Sequence, residues 1–121
     1  MESKNTLVIG ASENPQRYSY LAVLSLRKHG HGVVALAKRS GKIADVIIQT
    51  SFPENESFHT ITLYIGPGRQ NEYYDLVLNS KPVRVIFNPG TENDEFEKLL
   101  RENGIETIEA CTLVMLSTGQ Y

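Results

Sequence analysis

The 121-residue chain contains a single cysteine, Cys111. No internal disulfide can form, and a reducing cytoplasmic location is the simplest reading. A long hydrophobic run is missing as well. The opening "MESKNTLVIG" holds too short an apolar stretch for a signal peptide, and no segment reaches membrane-spanning length. Nor is there an excess of basic charge. Twelve lysines and arginines against fourteen aspartates and glutamates leave a net charge of −2. That balance excludes a general nucleic-acid surface but leaves room for a local basic patch that holds an anion. Internal repeats, low-complexity tracts and interdomain linkers are absent, so one domain over residues 1–121 is expected. What is present, 40% hydrophobic and 21% charged residues, suits a folded globular protein rather than a disordered one.

The apolar residues come in short blocks. Thr6 to Ile9 is a β-branched and leucine run stopped by Gly10, which reads as a strand buried on both faces. "SYLAVLSLRK", Ser19 to Lys28, reads as a helix halted at His29-Gly30. "GVVALA", Gly32 to Ala37, is a second strand, followed by the basic turn Lys38-Arg39-Ser40-Gly41-Lys42. Ile43 to His59 carries no clear period: "ADVIIQTSF" could hold a short strand, while Pro53, Asn55 and Ser57 favour a loop. Thr60 to Gly66 reads as a strand, Gln70 to Ser80 as a helix and Val83 to Phe87 as a strand. Asn93 to Glu102 reads as a helix with Phe96, Leu99 and Leu100 on one face, and "IETIEACTLVML" as at least one closing strand that includes Cys111. Alternating strands and helices of this kind predict a three-layer, Rossmann-like α/β domain with a mostly parallel sheet of about five strands.

In such sheets ligands gather at the carboxyl ends of the strands, where strand order reverses. Four turns qualify: the one after Gly10, Lys38 to Lys42, Gly66-Pro67-Gly68, and Asn88-Pro89-Gly90. The first does not continue as a glycine-rich dinucleotide fingerprint, because Ala11, Ser12, Glu13, Asn14, Pro15, Gln16 and Arg17 follow. Gly10 permits the tight turn, and amides entering the helix can face an anion. Ser12 and Asn14 can add hydrogen bonds, and Arg17 can make a bidentate phosphate contact. The alternative is a plain strand-to-helix turn. At the second turn, Lys38 and Arg39 stand where Rossmann proteins meet the ribose and would favour a phosphorylated one, unless they form only a solvated basic loop.

Catalytic and metal-binding patterns are lacking. His29, His31 and His59 have no metal spacing with Cys111 or with one another. The Tyr-x-x-x-Lys pair of a short-chain dehydrogenase does not occur. Glu92, Asp94, Glu95 and Glu97 crowd a helix start, where negative charge is stabilising in any case. Tyr73 and Tyr74 read as packing or interface residues.

Together, "LVIGASENPQRYSY", "HGHGVVAL", "TITLYIGPGRQNEYYDLV" and "VRVIFNPGTENDEFEKLLRENGIETIEACTLVML" resemble the small stand-alone CoA-binding domain proteins. That family is similar to the CoA-binding domain of the succinyl-CoA synthetase α subunit. The resemblance runs from Thr6 to about Leu116 and is most specific at the Gly-Ala-Ser turn and at Gly90 to Asp94. It implies that Gly10, Ala11, Ser12, Asn14 and Arg17 face the CoA diphosphate and adenosine. It also places Ile65, Gly66 and Pro67 beside the nucleotide, and matches Cys111 to a cysteine common near the family's last strand. Two departures stand out: "ALAKRSG" lacks the family's Val-Asn-Pro segment, and Gly66 replaces an arginine.

The expected function is a cytoplasmic module that binds coenzyme A or an acyl-CoA, without catalytic residues, metal, nucleic acid or membrane. A homodimer or a partner enzyme is the expected association. The site residues are Gly10, Ala11, Ser12, Asn14, Arg17, Lys38, Arg39, Ile65, Gly66, Pro67, Asn88, Pro89 and Gly90. A small NADP-dependent oxidoreductase is one alternative. Another is a ligand-free protein that associates through Tyr73, Tyr74, Leu76, Val77 and Leu78.

Overall fold

Continuous apolar runs became the buried strands. In the computed structural model, which describes residues 3–121, β1 (Thr6–Ile9) has all of its side chains buried. It pairs in parallel with β2 (Val33–Leu36) on one side and β5 (Thr60–Leu63) on the other. Outside β5 lie β6 (Arg84–Phe87) and then β7 (Glu106–Glu109), both parallel. Outside β2 lies β4 (Val46–Gln49), parallel to it, and the edge is β3 (Gly41–Ile43), antiparallel to β4. The sheet order is therefore β3-β4-β2-β1-β5-β6-β7.

Helices cover both faces. α1 (Tyr18–Lys28) and α4 (Thr112–Ser117) bring Val23, Leu26, Met115 and Leu116 onto Val8, Ala35, Ile48 and Ile86. α2 (Tyr74–Ser80) and α3 (Asp94–Glu102) bring Val77, Phe96 and Leu100 onto Leu7, Ile9, Leu63 and Phe87 on the other face. Residues one apart on β1 thus enter different cores, which is why its run is unbroken rather than alternating. α3 is locally well specified. The Asn93 side chain accepts from the Phe96 amide at 3.1 Å, and the Glu97 carboxylate accepts from the Asn93 amide at 3.1 Å, a reciprocal cap. Among the described residues no helix is long and apolar enough to cross a membrane.

Three sequence expectations need correction. The sheet has seven strands rather than about five, because Gly41–Ile43 and Val46–Gln49 form a hairpin where a basic turn and a segment left open between a short strand and a loop were expected. These strands are short and lie at the edge. β4 alternates buried with exposed residues, and its apolar run, Val46 to Ile48, is only three residues long. The helix expected from Gln70 starts only at Tyr74, after two 3-10 turns at Pro67–Arg69 and Asn71–Tyr73. Cys111 is not in a strand: it is the half-buried residue that precedes α4. Asn88 Oδ1 accepts from the Thr112 amide at 2.9 Å, and the Thr112 and Thr62 hydroxyls lie 2.8 Å apart. Those tertiary bonds start a helix where the apolar sequence alone reads as a strand.

Candidate functional site

Strand order reverses at β1, whose sheet neighbours β2 and β5 are reached by chain segments running to opposite sides. A crevice opens there beyond the carboxyl ends of the strands, as α/β sheets of this topology dictate. Gly10 forms its base. Its φ is +94°, and a Cβ on it would lie 2.8 Å from Ile65 Cγ2 and 3.0 Å from the Tyr64 carbonyl carbon. Only glycine meets both demands, the left-handed backbone and the close approach of the neighbouring loop. The resulting cleft has a volume of about 460 Å³.

The loop after β1 is organised by its own side chains. The amides of Gly10 and Ala11 both donate to the Leu36 carbonyl, at 2.8 and 3.2 Å, which fastens this loop to the end of β2. Ser12 Oγ accepts from the Asn14 amide at 3.0 Å, and Asn14 Oδ1 accepts from the Gln16 amide at 3.0 Å. These local turns carry the chain to Arg17, the residue that precedes α1. No acidic residue occupies the first turn of α1, while Arg27 and Lys28 sit in its last. The positive end of its dipole is therefore uncompensated at the cleft.

Three arginines, Arg17, Arg39 and Arg69, line the cleft, and none makes an ion pair among the described residues. Lys38 differs. Its ammonium pairs with Glu72 and lies 5.7 Å from the centre of the Tyr73 ring. Hydrogen bonding to Glu72 raises the Lys38 pKa above the ordinary lysine value, and the same bond holds the Glu72 carboxyl below the usual carboxylate range. Tyr18, 71% exposed, adds an aromatic face at the cleft.

Beneath the rim is a buried polar brace. Gln70, fully buried, donates from Nε2 to the carbonyls of Ile65 (2.9 Å) and Thr91 (2.7 Å) and accepts from Asn93 Nδ2 at 2.9 Å. One side chain thus ties together the loops after β5 and β6 and the start of α3. Asn88 does the same on the opposite side, donating to Thr62 Oγ1 and the Leu63 carbonyl and accepting from Thr112.

Of the residues expected from sequence, Gly10, Ala11, Ser12, Arg17, Lys38, Arg39, Ile65 and Pro89 come together around the cleft. Asn14 lines an adjoining hollow of about 210 Å³, shared with Ala11, Ser12 and Arg39. Gly66, Pro67 and Gly90 do not line either space, and Asn88 is buried with its amide committed to the brace. Sequence reasoning missed Arg69, Glu72, Tyr18 and Gln70. Arg69 had a signal: Pro67 opens a 3-10 turn directly after β5, and Arg69 ends it on the cleft side. Tyr64 also borders the cleft, but its side chain packs against the core and its hydroxyl is buried without a hydrogen-bond partner among the described residues, and burial raises its pKa.

The architecture and this crevice define a Rossmann-like domain with an arginine-lined rim. The chain belongs to the CoA binding domain family, whose model matches residues 4–117. Among solved structures it is similar to an uncharacterized protein at 45% identity, with a TM-score of 0.96 and 100% of both chains covered. A Thermus thermophilus protein is 22% identical, with a TM-score of 0.84 over 98% of this chain and 91% of that one. A hypothetical protein from Pyrococcus horikoshii is 20% identical, with a TM-score of 0.88 over 97% and 84%. These last two are likenesses of fold. No curated protein matches the chain.

Proposed function

We propose that the chain acts as one CoA-binding domain whose cleft takes the nucleotide end of coenzyme A or an acyl-CoA, without catalysis of its own. The observation that carries this reading is the convergence of Arg17, Arg39 and Arg69, all without acidic partners among the described residues, on one cleft in a member of a CoA-binding family. Guanidinium groups match phosphate oxygens bidentately, and the open start of α1 favours a diphosphate. Arg17 at the start of α1 would hold the diphosphate, with Arg39 and Lys38 near the ribose phosphate. The pantetheine arm would leave past Ile65 and Pro89. Bulky Gln16 and Arg17 stand where a dinucleotide fold needs small residues, so close approach of a dinucleotide pyrophosphate is disfavoured.

Thermal denaturation over a concentration series tests this, since stabilisation by a ligand follows mass action. Coenzyme A should raise the melting temperature, dephospho-CoA should do so less, and NADP at equal concentration should not. A larger shift with NADP would reverse the ligand assignment. No shift with any of them would favour the interaction-protein reading.

A further inference from the structure

Lys38 and Glu72 sit on loops that follow β2 and β5, the two strands flanking β1. Their ion pair therefore bridges the crevice above Gly10, and both side chains line the cleft. Glu72 is also the one carboxylate among the described residues of that lining, set among Arg17, Arg39, Arg69 and Lys38. The pair is built on more than one contact. Tyr73 lies under the ammonium at 5.7 Å, and the 3-10 turn that carries Glu72 follows directly from buried Gln70. The basic residue best placed for a ribose phosphate is thus already occupied by an internal anion.

We propose that Glu72 is a specificity-determining residue that competes with the phosphate groups of the ligand for Lys38. It acts as a removable counter-ion across the mouth of the cleft. This inference rests on the anion-binding reading of the cleft, and it makes a prediction opposite in sign to an ordinary contact residue. A carboxylate that touched the ligand productively would weaken binding when neutralised. A carboxylate that competes with the ligand strengthens binding when neutralised, because Lys38 is released and a like charge is removed. Both side chains are largely exposed, so the bond is weak enough for a multivalent anion to open.

The test is Glu72→Gln, titrated calorimetrically with coenzyme A, dephospho-CoA and inorganic pyrophosphate, with melting temperatures recorded to verify folding. The expected result is about a twofold to fivefold tighter binding of coenzyme A and of pyrophosphate, the range an exposed charge pair supports. The gain should be smaller in Lys38→Met/Glu72→Gln relative to Lys38→Met alone, where only the removal of a like charge remains; an undiminished gain there overturns competition for Lys38. It should also shrink for dephospho-CoA if Lys38 meets the ribose phosphate. Unchanged or weaker coenzyme A binding in Glu72→Gln, with the wild type still binding, overturns the role of Glu72 and leaves the CoA reading intact. If coenzyme A binds neither protein but pyrophosphate binds the variant more tightly, the competing role stands and the CoA reading falls. Failure of all three ligands with both proteins overturns both.

Discussion

At the end of the sheet where β1, β5 and β6 begin, Arg84 is only 7% exposed and held by internal partners. Its Nε donates to Thr60 Oγ1 at 2.9 Å, one terminal nitrogen donates to the Tyr121 carbonyl at 3.0 Å, and its guanidinium lies 4.6 Å from the Tyr121 ring centre. Thr6, Thr60 and Arg84 are in register across three strands, and the Thr6 hydroxyl bonds the Tyr121 hydroxyl. At the opposite end, Arg17, Arg39 and Arg69 are exposed around one cleft with no ion pair among the described residues. The contrast separates two uses of one residue type. A desolvated guanidinium must find internal partners, so it locks the fold. Cations gathered on a concave rim repel one another, and a bound polyanion relieves that repulsion.

The two largest expected effects concern the scaffold, at the locked end and beside the cleft. Arg84→Leu removes the bonds to Thr60 and to the Tyr121 main-chain oxygen together with the guanidinium over the Tyr121 ring, and should cost about 1–3 kcal/mol in urea unfolding. The affinity of the folded fraction for coenzyme A should not change. A loss below about 1 kcal/mol would show that this end of the sheet is not held by Arg84. Gly10→Ala lies at the junction of scaffold and cleft. It imposes an unfavourable left-handed alanine and a collision with Ile65, so a cost of about 2–3 kcal/mol is expected, with binding weakened as well. Retained affinity in that variant would separate the loop crossing from the site.

Arg17→Ala addresses the open end alone. Coenzyme A affinity should fall by about 2 kcal/mol, while stability without ligand stays within about 0.5 kcal/mol, since this exposed arginine makes no ion pair among the described residues. Unchanged affinity in calorimetry would remove Arg17 from the site. The smallest effect is a pH dependence at the locked end. His31 accepts from the Lys4 amide at 2.9 Å and lies 4.9 Å from the Tyr121 ring centre; burial first, then Lys4 and the other nearby cations, lowers its pKa. His59 is shifted the same way, chiefly by burial. The unfolded chain then takes up protons before the folded one, so stability is full above the ordinary histidine value of 6.5 and declines as pH falls below it. Comparing melting temperatures of wild type and His31→Gln across that range isolates the effect. A slope identical in both proteins would assign it elsewhere.

The legible parts of the chain share a property: their signal is local. β1, β5 and β6 announced themselves as apolar runs buried on both faces, and α3 as an amphipathic segment with Phe96, Leu99 and Leu100 on one face. Gly10 was legible because a tight turn after a buried strand has few chemical solutions. The hairpin of β3 and β4 was only half legible, through the short apolar run Val46 to Ile48, because the three edge residues of β3 need little hydrophobicity once a neighbouring strand supplies their hydrogen bonds. α4 was hidden for a related reason, since its start depends on Asn88 and Thr62, far away in sequence.

The candidate site divides along the same line. The sequence by itself determined that turns would gather at the carboxyl ends of a parallel sheet, because strand and helix alternation constrains connectivity through local periodicity. Which of those residues face the cleft was decided only by the tertiary structure. Asn88 reads like a ligand-binding turn residue, yet buried position made it a brace between β5, β6 and α4. Lys38 reads as a free cation, yet it is paired with a glutamate 34 residues away, while Arg69 arrives at the rim on a short 3-10 turn. Charge pairing depends on distance and solvent exposure in space, and strand order sets both.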